Sequence, residues 1–243
     1  MRYGLISDIH GNQEAFETVL GALKDEQIDT FWCLGDVVGY GANPNECLEL
    51  VWGLTTDVIA GNHDFAAIGK VDLSCFNRNA AEAALWTMQN LTRDSRHYLS
   101  NLPFERKQDH ILAVHATPSE PEKWGYILSL PQAELEFHAL LDDVSVCFVG
   151  HTHDPMIFCD HDGKCGEVPG NQCQMKEDCR YIVNVGSVGQ PRDGDPRAAY
   201  CVYDSDTAQV EIKRIIYDVE TAQKKIRKAG LPDFLAMRLA FGR

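Results

Sequence analysis

The chain has 243 residues, 44% hydrophobic and 24% charged, a composition close to the globular average. No apolar run reaches the ~18 residues of a membrane helix, and the opening MRYGLISDIHGN has no long apolar stretch of the signal-peptide kind, so a cytoplasmic protein without membrane partners is expected. With 36 acidic and 22 basic residues the net charge is −14, which repels polyanions and excludes non-specific nucleic-acid binding. A small anionic substrate is compatible only where something local reverses that field.

In chain order, the first half alternates strand and helix patterns. Arg2–Ser7 is a short apolar run. Asn12–Leu23 places Ala15, Phe16, Val19, Leu20 and Leu23 at helical spacing behind a capping asparagine. Thr30–Leu34 is the next strand. Pro44–Trp52 is a helix with Asn43 as cap, Asp57–Ala60 a strand, Asn79–Asn90 and Asp94–Ser100 helices. This alternation predicts parallel β-α-β units. In the second half, Ile111–Val114, Val144–Val149, Met156–Cys159, Tyr181–Val185, Ala198–Tyr203 and Val210–Ile216 read as strands. The intervals lack clear helices, which favours antiparallel hairpins. Helices at Val219–Ala229 and Phe234–Phe241 follow, with Gly230 between them as C-cap. The pattern predicts one α/β domain over residues 1–243, two sheets with helices outside them.

Five apolar runs end in the same kind of chemistry: Asp8-Ile9-His10, Gly35-Asp36, Gly61-Asn62-His63-Asp64, Val114-His115 and Gly150-His151-Thr152-His153. Ligands of open α/β sheets bind beyond the carboxyl ends of strands, so these loops converge on one edge. Crowded carboxylates and imidazoles are unfavourable without a cation. Asp8, His10, Asp36, Asn62, His115, His151 and His153 offer more donors than one tetrahedral zinc ion takes. They suit two ions, and mixed nitrogen and oxygen donors favour Mn, Fe, Zn, Co or Ni over Ca or Mg.

The ordered series D-x-H, G-D, G-N-H-D, H and G-H-T-H resembles the calcineurin-like metallophosphoesterase superfamily. The stretches Gly35–Pro44 and Asn184–Arg197 are similar to its small prokaryotic branch, related to diadenosine tetraphosphatases and phosphodiesterases. The resemblance implies a two-sheet β-sandwich flanked by helices, a four-layer α/β/β/α fold. It implies that Asp8, His10 and His153 hold one metal, that Asn62, His115 and His151 hold the other, and that Asp36 bridges them, with His10 as a ligand or a weaker neighbour of the first ion. Two divalent cations against Asp8 and Asp36 leave about +2 in the site, clamp phosphate oxygens and supply a shared hydroxide that attacks phosphorus. His63 resembles the general acid for the leaving group, and Asp64 its orienting partner; a cap for a helix over Phe65–Gly69 is an equal reading of Asp64.

Three further residues have two readings each. Asn12 is a helix cap or a phosphate contact. Arg192 is a surface ion-pair partner or a phosphate contact. Tyr40 is a packed loop aromatic or a stacking surface. His97, His110, His138 and His161 lack motif context and belong on the surface. Cys33, Cys147 and Cys201 read as buried hydrophobes. Cys159, Cys165, Cys173 and Cys179 punctuate a polar insertion near 159–179, with zinc, disulfide or free thiols as alternatives, expected as a hairpin near the metal-bearing edge and as part of a lid. The expected function is hydrolysis of a small phosphodiester or dinucleoside polyphosphate. The alternatives are a protein Ser/Thr phosphatase and a non-catalytic scaffold on the same fold.

Overall fold

The computed structural model describes residues 1–243. Its strands are β1 (Arg2–Ile6), β2 (Thr30–Cys33), β3 (Glu105–Gln108), β4 (Ile111–Val114), β5 (Val146–Val149), β6 (Met156–His161), β7 (Lys164–Glu167), β8 (Gln172–Gln174), β9 (Arg180–Asn184), β10 (Ala198–Asp204) and β11 (Gln209–Ile215). The helices are α1 (Gln13–Leu23), α2 (Pro44–Leu54), α3 (Asn62–Ala66), α4 (Arg78–Asn90), α5 (Arg93–Ser100), α6 (Leu130–Ala139), α7 (Val219–Lys228) and α8 (Asp233–Leu239). Asn12, Asn77, Thr92 and Asp218 cap α1, α4, α5 and α7 by accepting a backbone N–H inside the first turn.

Two mixed sheets face each other, in the orders β2-β1-β10-β11-β8 and β3-β4-β5-β9-β6-β7. Their central strands are buried on both faces, which is why they read as unbroken apolar runs. In β1, Leu5 points between the sheets while Ile6 points to the helices on the outer side. In β5, Val146 and Phe148 point inward between the sheets; Cys147 and Val149 face α6. The inter-sheet layer also holds Trp32, Val183, Cys201 and Ile212. Outside the first sheet lie α1, α2, α7 and α8, and outside the second lies α6, through Ala133 and Phe137. This is the four-layer α/β/β/α order.

Several local expectations are corrected. The second half is not built of hairpins alone: β4, β5 and β9 pair in parallel, and α6 supplies the crossover between β4 and β5. That helix hides in the sequence because it buries little beyond Ala133 and Phe137. The Asp57–Ala60 run makes a single parallel bridge, Val58 to Cys33, rather than a strand. The cysteine-rich stretch forms β7, β8 and part of β6. Met156 pairs with Asn184 at the carboxyl edge of β9, whereas Asp160 pairs with Arg180 at the opposite end. The β6–β7 turn therefore lies far from the edge where β5 and β9 terminate, and it covers nothing there.

Candidate metal centre

The carboxyl ends of β1, β2, β4 and β5, with the start of α3, bring Asp8, His10, Asp36, Asn62, His115, His151 and His153 to one buried place. All seven are at most 8% exposed. One side-chain donor atom each from Asp8, His10 and His153 lies within 4.8 Å of the others, as does one each from Asp36, His115 and His151. Asp36 Oδ2 is 3.3 Å from His115 Nε2 and 3.7 Å from His10 Nε2, between the two groups.

The backbone aims these side chains at some expense. Asp8, His10, Asp36, His151 and His153 all have positive φ, between 51° and 64°. Each such non-glycine residue costs about 1–3 kcal/mol. Gly61 makes room for Asp36: a methyl group on it would land on the Asp36 carboxylate.

Outer partners decide which atoms remain free. Nδ1 of His10, His115 and His153 faces the carbonyls of Val38, Leu34 and Gln190 at 3.1, 2.7 and 2.5 Å. Donating there leaves Nε2 as an open donor atom toward the shared space. Asp8 Oδ2 accepts from Ser7 Oγ at 2.6 Å and His151 N at 3.0 Å; Asp36 Oδ1 accepts from His63 N at 2.8 Å. What is left over is a set of buried atoms with no hydrogen-bond partner: Asp8 Oδ1, Asp36 Oδ2, Asn62 Oδ1, His115 Nε2 and His151 Nε2. Buried polar atoms are seldom orphaned. Orphans of this type, mixed carboxylate, amide and imidazole, fit a pair of transition-metal ions.

The electrostatics agree. Burial works to raise the Asp8 and Asp36 carboxyls, but the surrounding imidazoles outweigh it and hold both below the usual aspartate range. Burial pushes His151 down to about 4 and, with Arg192, His153 down to about 3, so both are neutral donors. Burial also opposes charge on His115, yet Asp36 and Asp8 overcome it and push that imidazole up to about 9. Its proton is the one a cation would displace.

His63 stands beside the group, its ring centroid 5.0 Å from His10, 4.4 Å from Tyr40 and 4.8 Å from Phe76. Burial holds it well below the usual histidine value, and its Nδ1 has no partner. The expected contact from Asp64 is not made. Asp64 Oδ1 accepts from Val38 N at 3.1 Å and Oδ2 from Gly61 N at 3.0 Å, so its carboxylate holds the backbone at the start of α3 instead of the His63 ring. Asn12 is likewise fully occupied: its Oδ1 caps α1, and its Nδ2 donates to Gly189 O at 2.8 Å and to the Tyr217 hydroxyl at 3.2 Å.

A cavity of ≈ 370 Å³ opens over the centre. Tyr40 and Arg192 line it, as do residues the sequence did not reveal: Phe76, Trp124, Tyr126 and Arg238. Tyr126 packs on His151 at 4.2 Å between ring centroids, and Trp124 lies 5.9 Å from His115. His97, His110, His138 and His161 are exposed and remote.

The family model for the calcineurin-like phosphoesterase superfamily domain matches residues 1–208. An uncharacterized protein of Methanocaldococcus jannaschii is 40% identical over 98% of this chain and 97% of its own. The crystal structure of a metallophosphoesterase from Sphaerobacter thermophilus superposes with a TM-score of 0.88 at 38% identity, covering 100% of both chains. A symmetrical bis(5'-nucleosyl)-tetraphosphatase of Sodalis glossinidius is 38% identical, over 25% of this chain and 22% of its own.

Proposed function

The chain belongs to the calcineurin-like phosphoesterase superfamily, and from that premise we propose that it is a dinuclear metal-dependent hydrolase of a small phosphodiester or dinucleoside polyphosphate. The observation that carries this reading is the convergence of orphaned donor atoms: those of Asp36, Asn62 and His151, which line one cavity, and those of the fully buried Asp8 and His115 beside them. Asp8, His10 and His153 would hold one ion, Asn62, His115 and His151 the other, and Asp36 both. When bound, two such ions supply Lewis-acid charge and a water acidic enough to act as a nucleophile at neutral pH.

The protein's own groups divide the remaining work. The carbonyls of Val38, Leu34 and Gln190 fix the ring orientation of the three histidines. His63, next to Asn62 and lining the cavity, is the group placed to give a proton to a departing alkoxide. Tyr40 and Arg192 hold the wall beside it, joined by a 3.3 Å contact from Arg192 Nη2 to the Tyr40 hydroxyl. Trp124 and Tyr126 offer flat surfaces for a base or aryl group. A cavity of ≈ 370 Å³ suits a small molecule, which disfavours a protein substrate. The complete donor set disfavours a non-catalytic scaffold. The short likeness to a bis(5'-nucleosyl)-tetraphosphatase supports a nucleotide-like substrate.

Residues 1–243 act as one domain in this reading, since β1 and β10, from distant parts of the chain, pair within one sheet. No helix is long and apolar enough to cross a membrane, and the cytoplasm remains the proposed location. The test is hydrolysis of bis-p-nitrophenyl phosphate with Mn, Fe, Zn, Co or Ni, repeated after chelation. Activity that requires added metal supports the proposal; a folded, metal-replete protein inactive on phosphomonoesters, phosphodiesters and dinucleoside polyphosphates alike refutes it.

A further inference from the structure

The cavity wall beside Tyr40 carries two guanidiniums that no acidic side chain neutralises. Arg192 follows β9; Arg238 comes from α8, beyond residue 208 where the family match ends. Backbone contacts bring them together. Gly194 N donates to Gly242 O at 2.9 Å, which ties the segment after α8 to the loop after Arg192. Gly242 has φ +61°, and a side chain on it would lie 2.6 Å from the Asp195 backbone, so the two segments touch without side chains between them.

Acids adjacent to Arg192 are committed elsewhere. Asp193 pairs with Arg214, and Asp195 with Arg197 at 2.6 Å. Arg192 Nη2 donates to Gln190 Oε1 at 2.9 Å and to the Tyr40 hydroxyl, while its buried Nε has no partner. Arg238 Nε donates to the main-chain oxygen of Arg243, a carboxylate oxygen where the chain ends there, and its guanidinium lies 5.4 Å from the Phe234 ring centre. Burial, then the charge of Arg192, pushes Arg238 down to about 10. Two like charges share a partly buried wall, in a chain whose net charge is −14. Placing them there is unfavourable unless an anion completes the wall.

We infer that Arg192 and Arg238 form a subsite for a second phosphoryl group, so that the substrate class is one with at least two linked phosphates rather than a single phosphorus. This deepens the phosphoesterase reading and rests on it: one phosphoryl group belongs over the clustered donors, and the next one along the chain meets the guanidiniums. Arginine forks suit phosphate oxygens in geometry as well as charge. A polyanionic polymer is disfavoured by the net charge, and a simple monoester would leave Arg192 without an anionic partner.

The test is calorimetric binding of imidodiphosphate and of inorganic phosphate to the manganese-loaded full chain, dialysed free of unbound metal, with bound metal counted before and after. The wild type binds imidodiphosphate at least about tenfold more tightly than phosphate. Arg238→Gln lowers that ratio by about 10- to 100-fold, the loss expected for charge-assisted hydrogen bonds, and Arg238→Lys lowers it less. In kinetics, Arg238→Gln raises KM more than it lowers kcat on a dinucleoside polyphosphate, and its kcat/KM falls further there than on bis-p-nitrophenyl phosphate. A ratio near one in the wild type, or one unchanged in Arg238→Gln, overturns the subsite. If Arg238→Gln does not fold, Arg192→Gln and Arg238→Lys decide by the same ratio. Hydrolysis without the ratio overturns the subsite alone; the ratio without hydrolysis of any phosphate ester overturns the enzymatic reading and leaves the subsite standing.

Discussion

His10 Nε2 lies 3.0 Å from His153 Nε2, and each ring has its other nitrogen against a backbone carbonyl. Two lone pairs cannot face each other at that distance without repulsion, so the pair calls for a cation between or beside them. Added to the positive φ of Asp8, His10, Asp36, His151 and His153, this makes the centre without a cation a store of unfavourable energy. Metal loading is therefore expected to raise the thermal midpoint. At a hundredfold excess over Kd the gain is about 2.7 kcal/mol per ion, or roughly 5–10 °C for a chain of this size. Calorimetry with and without a chelator measures it. A midpoint that none of Mn, Fe, Zn, Co and Ni raises above that of the chelated protein would count against the centre.

His63→Ala is expected to lower hydrolysis by about 10²–10⁴-fold when the leaving group is an alkoxide such as a nucleoside hydroxyl. The loss should be much smaller for a p-nitrophenyl ester, whose phenolate departs without a proton. Equal losses on both substrates would remove His63 from the role of proton donor. Bound metal, counted by elemental analysis, should stay as in the wild type.

Asp64 gives the opposite signature. Both of its oxygens satisfy buried backbone N–H groups, of Val38 and Gly61. Asp64→Ala orphans the two donors and should destabilise the fold by about 2–5 kcal/mol, visible as a lower urea midpoint. A variant of unchanged stability would show that the carboxylate is not the clamp described above.

These two neighbours show what sequence could and could not tell. The gathering of Asp8, His10, Asp36, Asn62, His115, His151 and His153 was legible because each follows an apolar run, and the end of a parallel strand is where such a fold presents a ligand. Asp64 was ambiguous because adjacency in Asn62-His63-Asp64 suggests contact, whereas the start of a helix turns successive side chains apart. α6 was hidden by its thin apolar stripe, so β4, β5 and β9 lost the crossover that would have marked them as parallel. The cysteine hairpin was placed at the wrong end because strand direction, not proximity in sequence to His153, decides where it lies. Arg238 could not be found at all: nothing near it in the chain signals that Gly242 packs on Asp195.

Away from the centre, Glu26 bridges two strands of the first sheet, through Arg2 on β1 and Lys213 on β11. Burial pulls its carboxyl up, yet Lys213 at 2.6 Å and Arg2 at 3.1 Å outweigh that and hold it below the usual glutamate value of 4.5. A carboxyl lowered in the folded state contributes stability above its unfolded pKa and loses it as pH falls through the folded one. Lys213→Met should therefore flatten the fall in stability below about pH 4.5, while lowering stability near neutrality. Urea midpoints across that range test this; a profile parallel to the wild type's would rule it out.

The tie between Gly194 and Gly242 also matters at the bench. An affinity tag fused after Arg243 would emerge beside the rim of the cavity, where it could tug α8 and Arg238 out of place. Met1 sits next to Asp206, at the end of β1 opposite Asp8. A tag there leaves the rim untouched, and comparing the two fusions shows how much of the measured activity is owed to handling.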